Sequence, residues 1–536
     1  MARSEAFLRL SRCVRLALES HQTGQSAAEV SGRLKLLQER RRAPNPARRA
    51  LVSAGALALA PVGAARAAPG AGGLDVAVVG AGFAGLYAAQ TLAAKGARPT
   101  VFEAGSRVGG RVWSLRTVFP GQIAERGGEL IDTTHSTVRG LANAYGLTLE
   151  SYAESKLPGE EFFYFGGRRW TEAQVVEEFR AFVPALKDDL SRLSNGPSAL
   201  AYNAYDRELD FMPLSDYLIR RGAGALLRSV LDVAYTIEFG REISQQSALS
   251  MLYFIASNRR QAFTPFGVFS DERFHIVEGN DALATRMAAD LPSAVRLGHR
   301  LLRVARRADG KVVLSFQTAR SVVETIHDAV ILSLPAPIMR EIEFASSAVL
   351  PAGARTAIAQ MDYGTNSKLM VGFNGRPWWE RHNSNGASYS DLADHQSTWE
   401  SNPSGSRALE RGVLTDYSGG IRGARLDPTK TQTEAERFLA ALDRVYPGSA
   451  VLARRDNRSR VVAHLENWSL NPLFKGAYSN NAPGYFTTVE GLYSQAAGNI
   501  LFAGEHTDSF YSYQGFMEGA LLSGARAADQ ALRFVA

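Results

Sequence analysis

The sequence predicts an α/β fold in which a parallel-sheet domain is interleaved with an α+β domain of mixed sheet and helical insertion. The first observation is the apolar run of residues 76–79, which suits a strand buried on both faces. It is followed by three glycines at G-x-G-x-x-G spacing: Gly80, Gly82 and Gly85. Similar apolar runs at residues 330–334 and 500–503 predict further buried strands far along the chain.

The three glycines have separate roles in this pattern. Gly80 permits a tight turn out of the strand, Gly82 lets the backbone approach a pyrophosphate, and Gly85 lets the next helix pack closely on the sheet. The backbone N–H groups at the start of that helix, at Phe83 and Ala84, are expected to face the phosphates. The pattern therefore predicts a dinucleotide site, and the alternative is a plain glycine turn in an α/β domain.

A second strand is predicted over residues 100–102, and Glu103 ends it. An acid at that point accepts hydrogen bonds from ribose hydroxyls and would repel a 2′-phosphate. It opens the run E-A-x-x-R-x-G-G-R, formed by Glu103, Ala104, Arg107, Gly109, Gly110 and Arg111. This run resembles the FAD-binding signature of the flavin amine oxidase family, which includes monoamine, polyamine and L-amino-acid oxidases. The resemblance implies a Rossmann-like FAD-binding domain, with both arginines well placed for the pyrophosphate.

The resemblance extends to segments further along the chain. At residues 125–132, ERGGELID, it implies a Gly-Gly turn that brings backbone towards the flavin. Leu301 matches a backbone contact to the adenine, and Glu505 matches an acid near the ribityl-pyrophosphate. The other residues that the resemblance assigns to FAD binding are Gly127, Gly128, Glu129, Gly504, Gly515, Phe516 and Met517.

The resemblance also assigns residues to the catalytic side of the flavin. Lys368 would hold a water at flavin N5 and assist the reaction with oxygen; the alternative is a lysine whose charge reaches solvent. Trp468 would pack near the isoalloxazine, while Tyr478 and Phe516 would form an aromatic cage, although either ring alone could be core packing. Ala477 stands where covalently flavinylated relatives place a cysteine, so the expected cofactor is noncovalent FAD.

The first 73 residues are predicted to be a leader and not part of the folded enzyme. Arg48 and Arg49 precede a soft apolar run, and Ala65-Arg66-Ala67 offers a small-x-small cleavage site. Together these features resemble a twin-arginine export signal, which implies a periplasmic or secreted protein. The alternative is a disordered basic arm on a cytoplasmic protein.

Charge and cysteine content agree with that division. Residues 1–73 hold 12 Lys and Arg against 4 Asp and Glu, whereas the rest of the chain holds 48 against 49. The basic balance therefore belongs to the leader and does not indicate nucleic-acid binding. The only cysteine, Cys13, is also in the leader, so no disulfide or cysteine-ligated metal is expected. The apolar run is short for a membrane span, and no metal-ligand spacing is present.

The predicted domains are intertwined. The FAD-binding domain is assigned to residues 74–150, 273–335 and 491–536, and the substrate domain to a helical part, 151–272, and a sheet part, 336–490. Thr171 is expected to cap a helix over residues 172–193, and Ser215 a helix over residues 216–221. Residues 382–407 are rich in Ser, Asn and Gly and are predicted to be a surface loop.

The resemblance implies oxidation of a primary or secondary amine to an imine, with O2 reduced to hydrogen peroxide and the imine hydrolysed to a carbonyl. The first alternative is an L-amino-acid oxidase, although Glu129 lies near the position where relatives acting on amino acids carry an arginine. Glu129 would instead favour a second cationic group, as on a diamine or a basic amino acid. The second alternative is an exported flavoprotein that binds a partner without turnover. A homodimer is left open.

Overall fold

The computed structural model describes residues 5–33, 73–155, 158–255, 271–402, 405 and 410–535. Its central element is a four-stranded sheet whose strands come from distant parts of the chain. In spatial order these strands are Arg98–Phe102, Asp75–Val79, Ala329–Leu332 and Ile500–Phe502. All neighbouring strands in this sheet are parallel, which confirms the predicted Rossmann-like fold. Because their carboxyl ends share one edge of the sheet, the loops that follow them converge there.

Two helices that pack on each other cover this sheet, Phe83–Ala94 and Met517–Val535. Their contact is unusually close at Gly524. A Cβ atom at that position would lie 2.2 Å from the carbonyl oxygen of Ala84, so only glycine fits there. The glycine-rich loop before the first helix is thereby fixed against the last helix of the chain.

A seven-stranded mixed sheet forms the second large layer. Its strands are, in spatial order, Ala463–Asn467, Ser367–Gly372, Val413–Ser418, His395–Glu400, Ser384–Leu392, Glu160–Phe165 and Arg168–Trp170. The last two strands form a hairpin, with Gly166 and Gly167 both at positive φ in its turn. The helix Thr431–Val445 packs on this sheet.

The prediction of a surface loop over residues 382–407 is wrong. Most of this segment forms the adjoining strands Ser384–Leu392 and His395–Glu400, and their residues are mostly buried. The polar side chains bond to one another across the strands: Ser388 Oγ lies 2.6 Å from Thr398 Oγ1. Composition typical of a loop misleads here, because hydroxyl groups with partners can be buried at little cost.

The described part of residues 151–272 is largely helical, whereas its assignment to a substrate domain stays a prediction. The main helices of this part are Glu172–Arg192, Ala204–Asp210, Leu214–Arg220, Ala225–Phe239 and Ala248–Ile255. Thr171 begins the first of them with a capping box, since its side chain accepts from the Gln174 N–H. The expected cap at Ser215 is wrong, because that helix begins at Leu214, two residues earlier than predicted, with Pro213 at the N-cap position.

The expectation that residues 1–73 stay outside the folded enzyme is wrong for residues 5–33. The helix Glu5–Thr23 packs on the helix Glu172–Arg192, and residues 27–33 are also helical. Cys13 is fully buried in this contact, and the Ala27 N–H donates to Glu177 Oε1 at 2.8 Å. Apolar residues at helical spacing form the buried face, so this segment belongs to the main core. The twin-arginine pair and the cleavage site lie outside the described residues.

The remaining elements are short or peripheral. The further strands are Ser114–Leu115, Ala124–Glu125, Leu149–Ser151, Phe274–Ile276, Arg300–Arg306, Val312–Gln317, Val322–His327, Glu343–Phe344, Asp362–Tyr363 and Ser479–Asn480. The further α-helices are Ser136–Ala144, Tyr152–Ser155, Asp281–Ala289, Ala336–Met339, Ala352–Gln360, Pro377–Glu380, Gly420–Arg425 and Tyr485–Thr488. Within the described part of the chain, no helix is both long and apolar enough to cross a membrane.

The N-terminal helix is expected to contribute to stability. Leu16 is 2% exposed in its contact with the core. Leu16→Ala should therefore lower the free energy of unfolding by about 2–4 kcal/mol, as measured by thermal unfolding of the full chain. Arg15→Ala, an exposed position on the same helix, is the control and should leave the melting temperature unchanged. Equal melting temperatures for both variants would contradict this packing.

Candidate active site

One cavity connects the two sheets. It starts at the loop after the strand Asp75–Val79 and ends against strands of the seven-stranded sheet. The space free of protein atoms, counted together with the open solvent at its mouth, is about 1790 Å³. Among the residues predicted for the site, those that line the cavity are Gly80, Gly82, Phe83, Ala84, Glu103, Ala104, Gly110, Arg111, Gly127, Gly128, Glu129, Leu301, Lys368, Trp468, Tyr478, Gly504, Glu505, Gly515, Phe516 and Met517. Residues from both ends and the middle of the chain thus share one site.

The end of the cavity at the parallel sheet is built for a nucleotide. Glu103 is held by two backbone donors, the N–H groups of Ala81 at 2.8 Å and Gly105 at 2.7 Å. A Cβ atom on Gly82 would have only Gly110 Cα within 4 Å, at 3.9 Å, so the glycine leaves open space in front of the helix. The first N–H groups of a helix have no partner within it and favour an anion there. These groups suit a ribose and a pyrophosphate.

A buried ion pair forms the middle of the cavity wall. Arg111 Nη1 lies 3.0 Å from Glu505 Oε1 and donates to the carbonyl of Ala477 at 2.7 Å. Glu505 also accepts from the Ser479 hydroxyl at 2.7 Å. Burial alone would lower the pKa of the Arg111 guanidinium, but the adjacent Glu505 carboxylate raises that pKa above its usual value. The arginine therefore stays cationic beside any bound pyrophosphate.

Two predicted cofactor residues do not line the cavity. Gly85 has the packing role, because a Cβ there would lie 1.9 Å from the Gly80 carbonyl oxygen. Arg107 points its guanidinium into its own loop, where it donates to the carbonyls of Gly110, Val108 and Val112. Burial lowers the pKa of Arg107 to about 10. Its guanidinium supports its own loop in this structure, and the role predicted for it at the pyrophosphate stays a prediction.

Lys368 lies on the buried strand Ser367–Gly372 and is 6% exposed, so its charge does not reach solvent. Its ammonium nitrogen lies 2.5 Å from Glu129 Oε2 and also donates to the carbonyls of Gly127 at 2.9 Å and Glu125 at 3.1 Å. The other Glu129 oxygen accepts from Trp399 Nε1 at 3.1 Å. Both Glu129 oxygens thus have protein donors, which argues against its expected role towards a second cationic group of the substrate.

Aromatic rings form the rest of this end of the cavity. The Tyr478 hydroxyl lies 2.8 Å from the Tyr417 hydroxyl and donates to the Glu238 carbonyl at 2.7 Å. Trp468 donates from Nε1 to the Arg126 carbonyl at 3.0 Å, which fixes the indole against the Gly-Gly turn. Phe516 packs on the His135 ring, with ring centroids 5.3 Å apart. These rings leave an apolar slot with few polar groups.

Several lining residues were missed by the sequence reasoning. They include Asn366, Trp399, Tyr417, Asp132 and Glu272. Trp399 lies in the segment that was expected to be a loop, so its inward position was hidden. Tyr417 is on the neighbouring strand, where Ser397 and Tyr417 are paired, and an isolated tyrosine carries no motif. Both strands are buried along almost their whole length, so no alternation of apolar and polar residues marks either ring in the sequence.

The sequence and the structure of the chain can be compared with those of known proteins. The sequence model described as flavin containing amine oxidoreductase matches residues 83–532. The chain belongs to this family. The expected family, enzyme class and flavin cofactor are thereby confirmed.

Similar proteins agree with this family. The chain is 25% identical to an L-amino-acid oxidase from Mus musculus, over 83% of this chain and 69% of that protein. It is equally similar to an L-amino-acid oxidase from Siganus canaliculatus, with 83% of each chain covered. Among solved structures, a putrescine oxidase matches with TM-score 0.70 and 21% identity, covering 85% of this chain and 98% of that one. Cyclohexylamine oxidase from Brevibacterium oxydans IH-35A matches with TM-score 0.71 and 20% identity, and the match covers 86% of this chain and 99% of that one.

As a flavin-containing amine oxidoreductase, the chain has a cavity that fits FAD. The open space at Gly82 and the Glu103 carboxylate suit the adenosine and pyrophosphate, and the Gly-Gly turn reaches the end that Lys368 and the aromatic rings enclose. Ala477 lines the cavity, whereas the only cysteine, Cys13, lies on the buried face of the N-terminal helix and not in the cavity. A thioether link to the flavin therefore has no cysteine to form it.

Glu125, next to this turn, makes the stability of the enzyme depend on pH. Its carboxyl group accepts from the Asn280 N–H and the Ser114 hydroxyl, yet burial raises its pKa from 4.5 to about 7. The folded state therefore binds more protons than the unfolded state between about pH 4.5 and 7, so stability falls as pH rises through that window.

Glu125→Gln should remove this dependence. The melting temperature of the parent should fall relative to that of the variant between about pH 4.5 and 7, and the difference should be constant above that window. Thermal unfolding of both proteins across pH 4–8.5 measures it. Parallel curves over the whole range would show that Glu125 is ionised normally in the folded protein.

Proposed function

We propose that this enzyme oxidises a primary or secondary amine to an imine, which water hydrolyses to a carbonyl and ammonia or a smaller amine. Bound FAD would supply the chemistry, taking a hydride equivalent from the α-carbon and passing two electrons to O2 to give hydrogen peroxide. The observation that supports this proposal is the single cavity that joins the nucleotide loop to Lys368 and the aromatic rings.

The residues of the chain would bind and orient the amine. Tyr478 and Tyr417 hold each other through their hydroxyls, so their rings form a fixed wall. Trp468 and Phe516 are 5% and 8% exposed, and this burial excludes water from the slot. A desolvated neutral amine is the form that can lose a hydride, because a protonated amine has no lone pair to support it.

The charges in the cavity favour an amine over an α-amino acid. An amino acid needs a cation for its carboxylate, and each Arg or Lys among the described lining residues already has a carboxylate partner. These pairs are Arg111 with Glu505, Arg126 with Glu466, Arg300 with Glu341, and Lys368 with Glu129. The lining also includes two acids, Asp132 and Glu272, which offer no cation to a carboxylate.

An L-amino-acid oxidase is the second candidate, and the relatives favour it. The matched proteins from Mus musculus and Siganus canaliculatus are both L-amino-acid oxidases. At 25% identity, however, the shared residues can be those of the common fold and cofactor site, whereas substrate choice rests on few side chains.

Matched substrate pairs separate the two candidates. 2-Phenylethylamine and L-phenylalanine differ only by the carboxylate, as do cadaverine and L-lysine. A peroxide assay should give a kcat/KM that is larger for each amine by about 10² or more, because a carboxylate without a cationic partner is costly to bury. Preference for the amino acids would establish the second candidate. If no compound yields peroxide or bleaches the flavin, the result would favour the alternative of a flavoprotein that binds a partner without turnover.

We also propose that the twin-arginine pair, Arg48 and Arg49, directs export of the folded, FAD-loaded protein to the periplasm. The proposal must also account for the helix Glu5–Thr23, which packs on the core and lies before the cleavage site. Cleavage after Ala67 would cut the covalent link between this helix and the rest of the enzyme. Because the helix is part of the core, we propose that it stays bound to the exported protein.

Changing Arg48 and Arg49 together to lysine should therefore trap the enzyme in the cytoplasm while leaving its flavin content unchanged. Activity in periplasmic and cytoplasmic fractions measures the effect. Denaturing mass spectrometry of the periplasmic protein should also detect a peptide that contains residues 5–33. Unchanged periplasmic activity in the double variant would contradict the export signal, and absence of the peptide would contradict retention of the helix.

A further inference from the structure

The ammonium group of Lys368 has no hydrogen left for a further partner. An ammonium group carries three hydrogens and cannot accept a bond. The three acceptors are the carbonyls of Glu125 and Gly127 and the carboxylate of Glu129, all within 3.1 Å of Nζ. A water between Lys368 and a bound flavin would have to replace one of them.

The carboxylate of Glu129 is fixed in place from its other side. Glu129 is 7% exposed, and Trp399 Nε1 donates to its second oxygen at 3.1 Å. Trp399 is itself held on the strand His395–Glu400, inside the seven-stranded sheet. The acid therefore cannot turn away from Lys368 without breaking a buried hydrogen bond.

This arrangement sets the net charge that O2 encounters near Lys368. O2 becomes negative as it accepts electrons, and a fixed positive charge nearby would stabilise that change. Lys368 alone would supply one positive charge, but Glu129 at 2.5 Å offsets most of its field at distances that are large compared with this separation.

We propose that Glu129 is a positioning residue that holds Lys368 and restrains the reaction of the reduced cofactor with O2. The inference rests on the proposed function only in taking O2 as the oxidant. Two electrons and two protons pass from the reduced cofactor to O2, which gives oxidised FAD and hydrogen peroxide. Glu129 and Lys368 form no covalent bond in this step and act through their charges.

Three variants change the net charge of the pair in steps. Glu129→Gln keeps the shape and leaves a charge of +1, the double variant Glu129→Gln/Lys368→Met leaves 0 as in the parent, and Lys368→Met leaves −1. The rate constant for reoxidation by O2 should follow this order, with Glu129→Gln about tenfold faster than the parent and Lys368→Met slower by a factor of about 10². Glu436→Gln, which breaks an exposed pair with Arg455, is the control and should match the parent.

The measurement uses FAD-loaded protein that is reduced with dithionite or light and mixed with O2 in a stopped-flow instrument. No amine is involved, so failure of the amine assay and failure of this inference are distinguishable. The midpoint potential of the bound flavin is a second readout, and it should rise in Glu129→Gln because positive charge favours the reduced form.

Reoxidation of Glu129→Gln that is no faster than that of the parent would overturn the inference, as would an unchanged midpoint potential. If Glu129→Gln does not fold or load FAD, the comparison moves to the other two variants. The double variant leaves no uncompensated buried charge, and it should be reoxidised faster than Lys368→Met. Equal rates in those two variants would overturn the inference as well.

Discussion

The buried ion pair between Arg111 and Glu505 ties together the segments that form the cofactor end of the cavity. Arg111 belongs to the loop after the strand Arg98–Phe102, and Glu505 follows the strand Ile500–Phe502. Ala477 and Ser479, which also contact this pair, come from a third segment of the chain. In a buried setting such a pair is stable only if the remaining donors and acceptors are also satisfied. Here Ser479 and the Ala477 carbonyl meet that need, so the cofactor wall forms only when these distant parts of the chain come together.

Local motifs explain what the sequence could predict. The glycine loop, the acid at Glu103 and the E-A-x-x-R-x-G-G-R run are short-range patterns whose geometry follows from backbone sterics, so the parallel sheet and most of the cavity were predictable. Arg107 shows the limit, because a cation in a motif can serve its own loop and not the ligand. Patterns identify the site more reliably than they identify what each side chain in it contacts.

What the sequence could not predict depends on long-range pairing. The Ser-rich strands at 384–392 look like a loop because their polar side chains find partners only across the sheet. Trp399 was missed for the same reason. The helix Glu5–Thr23 was set aside because of the arginines that follow it, although its own apolar spacing is that of a packed helix. Tertiary contact overrides composition in the two strands, whereas the helix follows its own local pattern.

The same reasoning bears on the disagreement between the relatives and the charges in the cavity. Similarity to L-amino-acid oxidases extends over 83% of this chain at 25% identity, and an overall identity of that size does not report on the few side chains that choose the substrate. Choice between an amine and an amino acid requires only one free cation at the substrate. Lys368 is paired with Glu129, and Arg126 is paired with Glu466. Within the described residues, the cations that line the cavity are therefore paired with carboxylates of the protein itself. The charge pairing inside the site is therefore the observation on which the amine proposal rests, whereas the relatives support the amino-acid alternative.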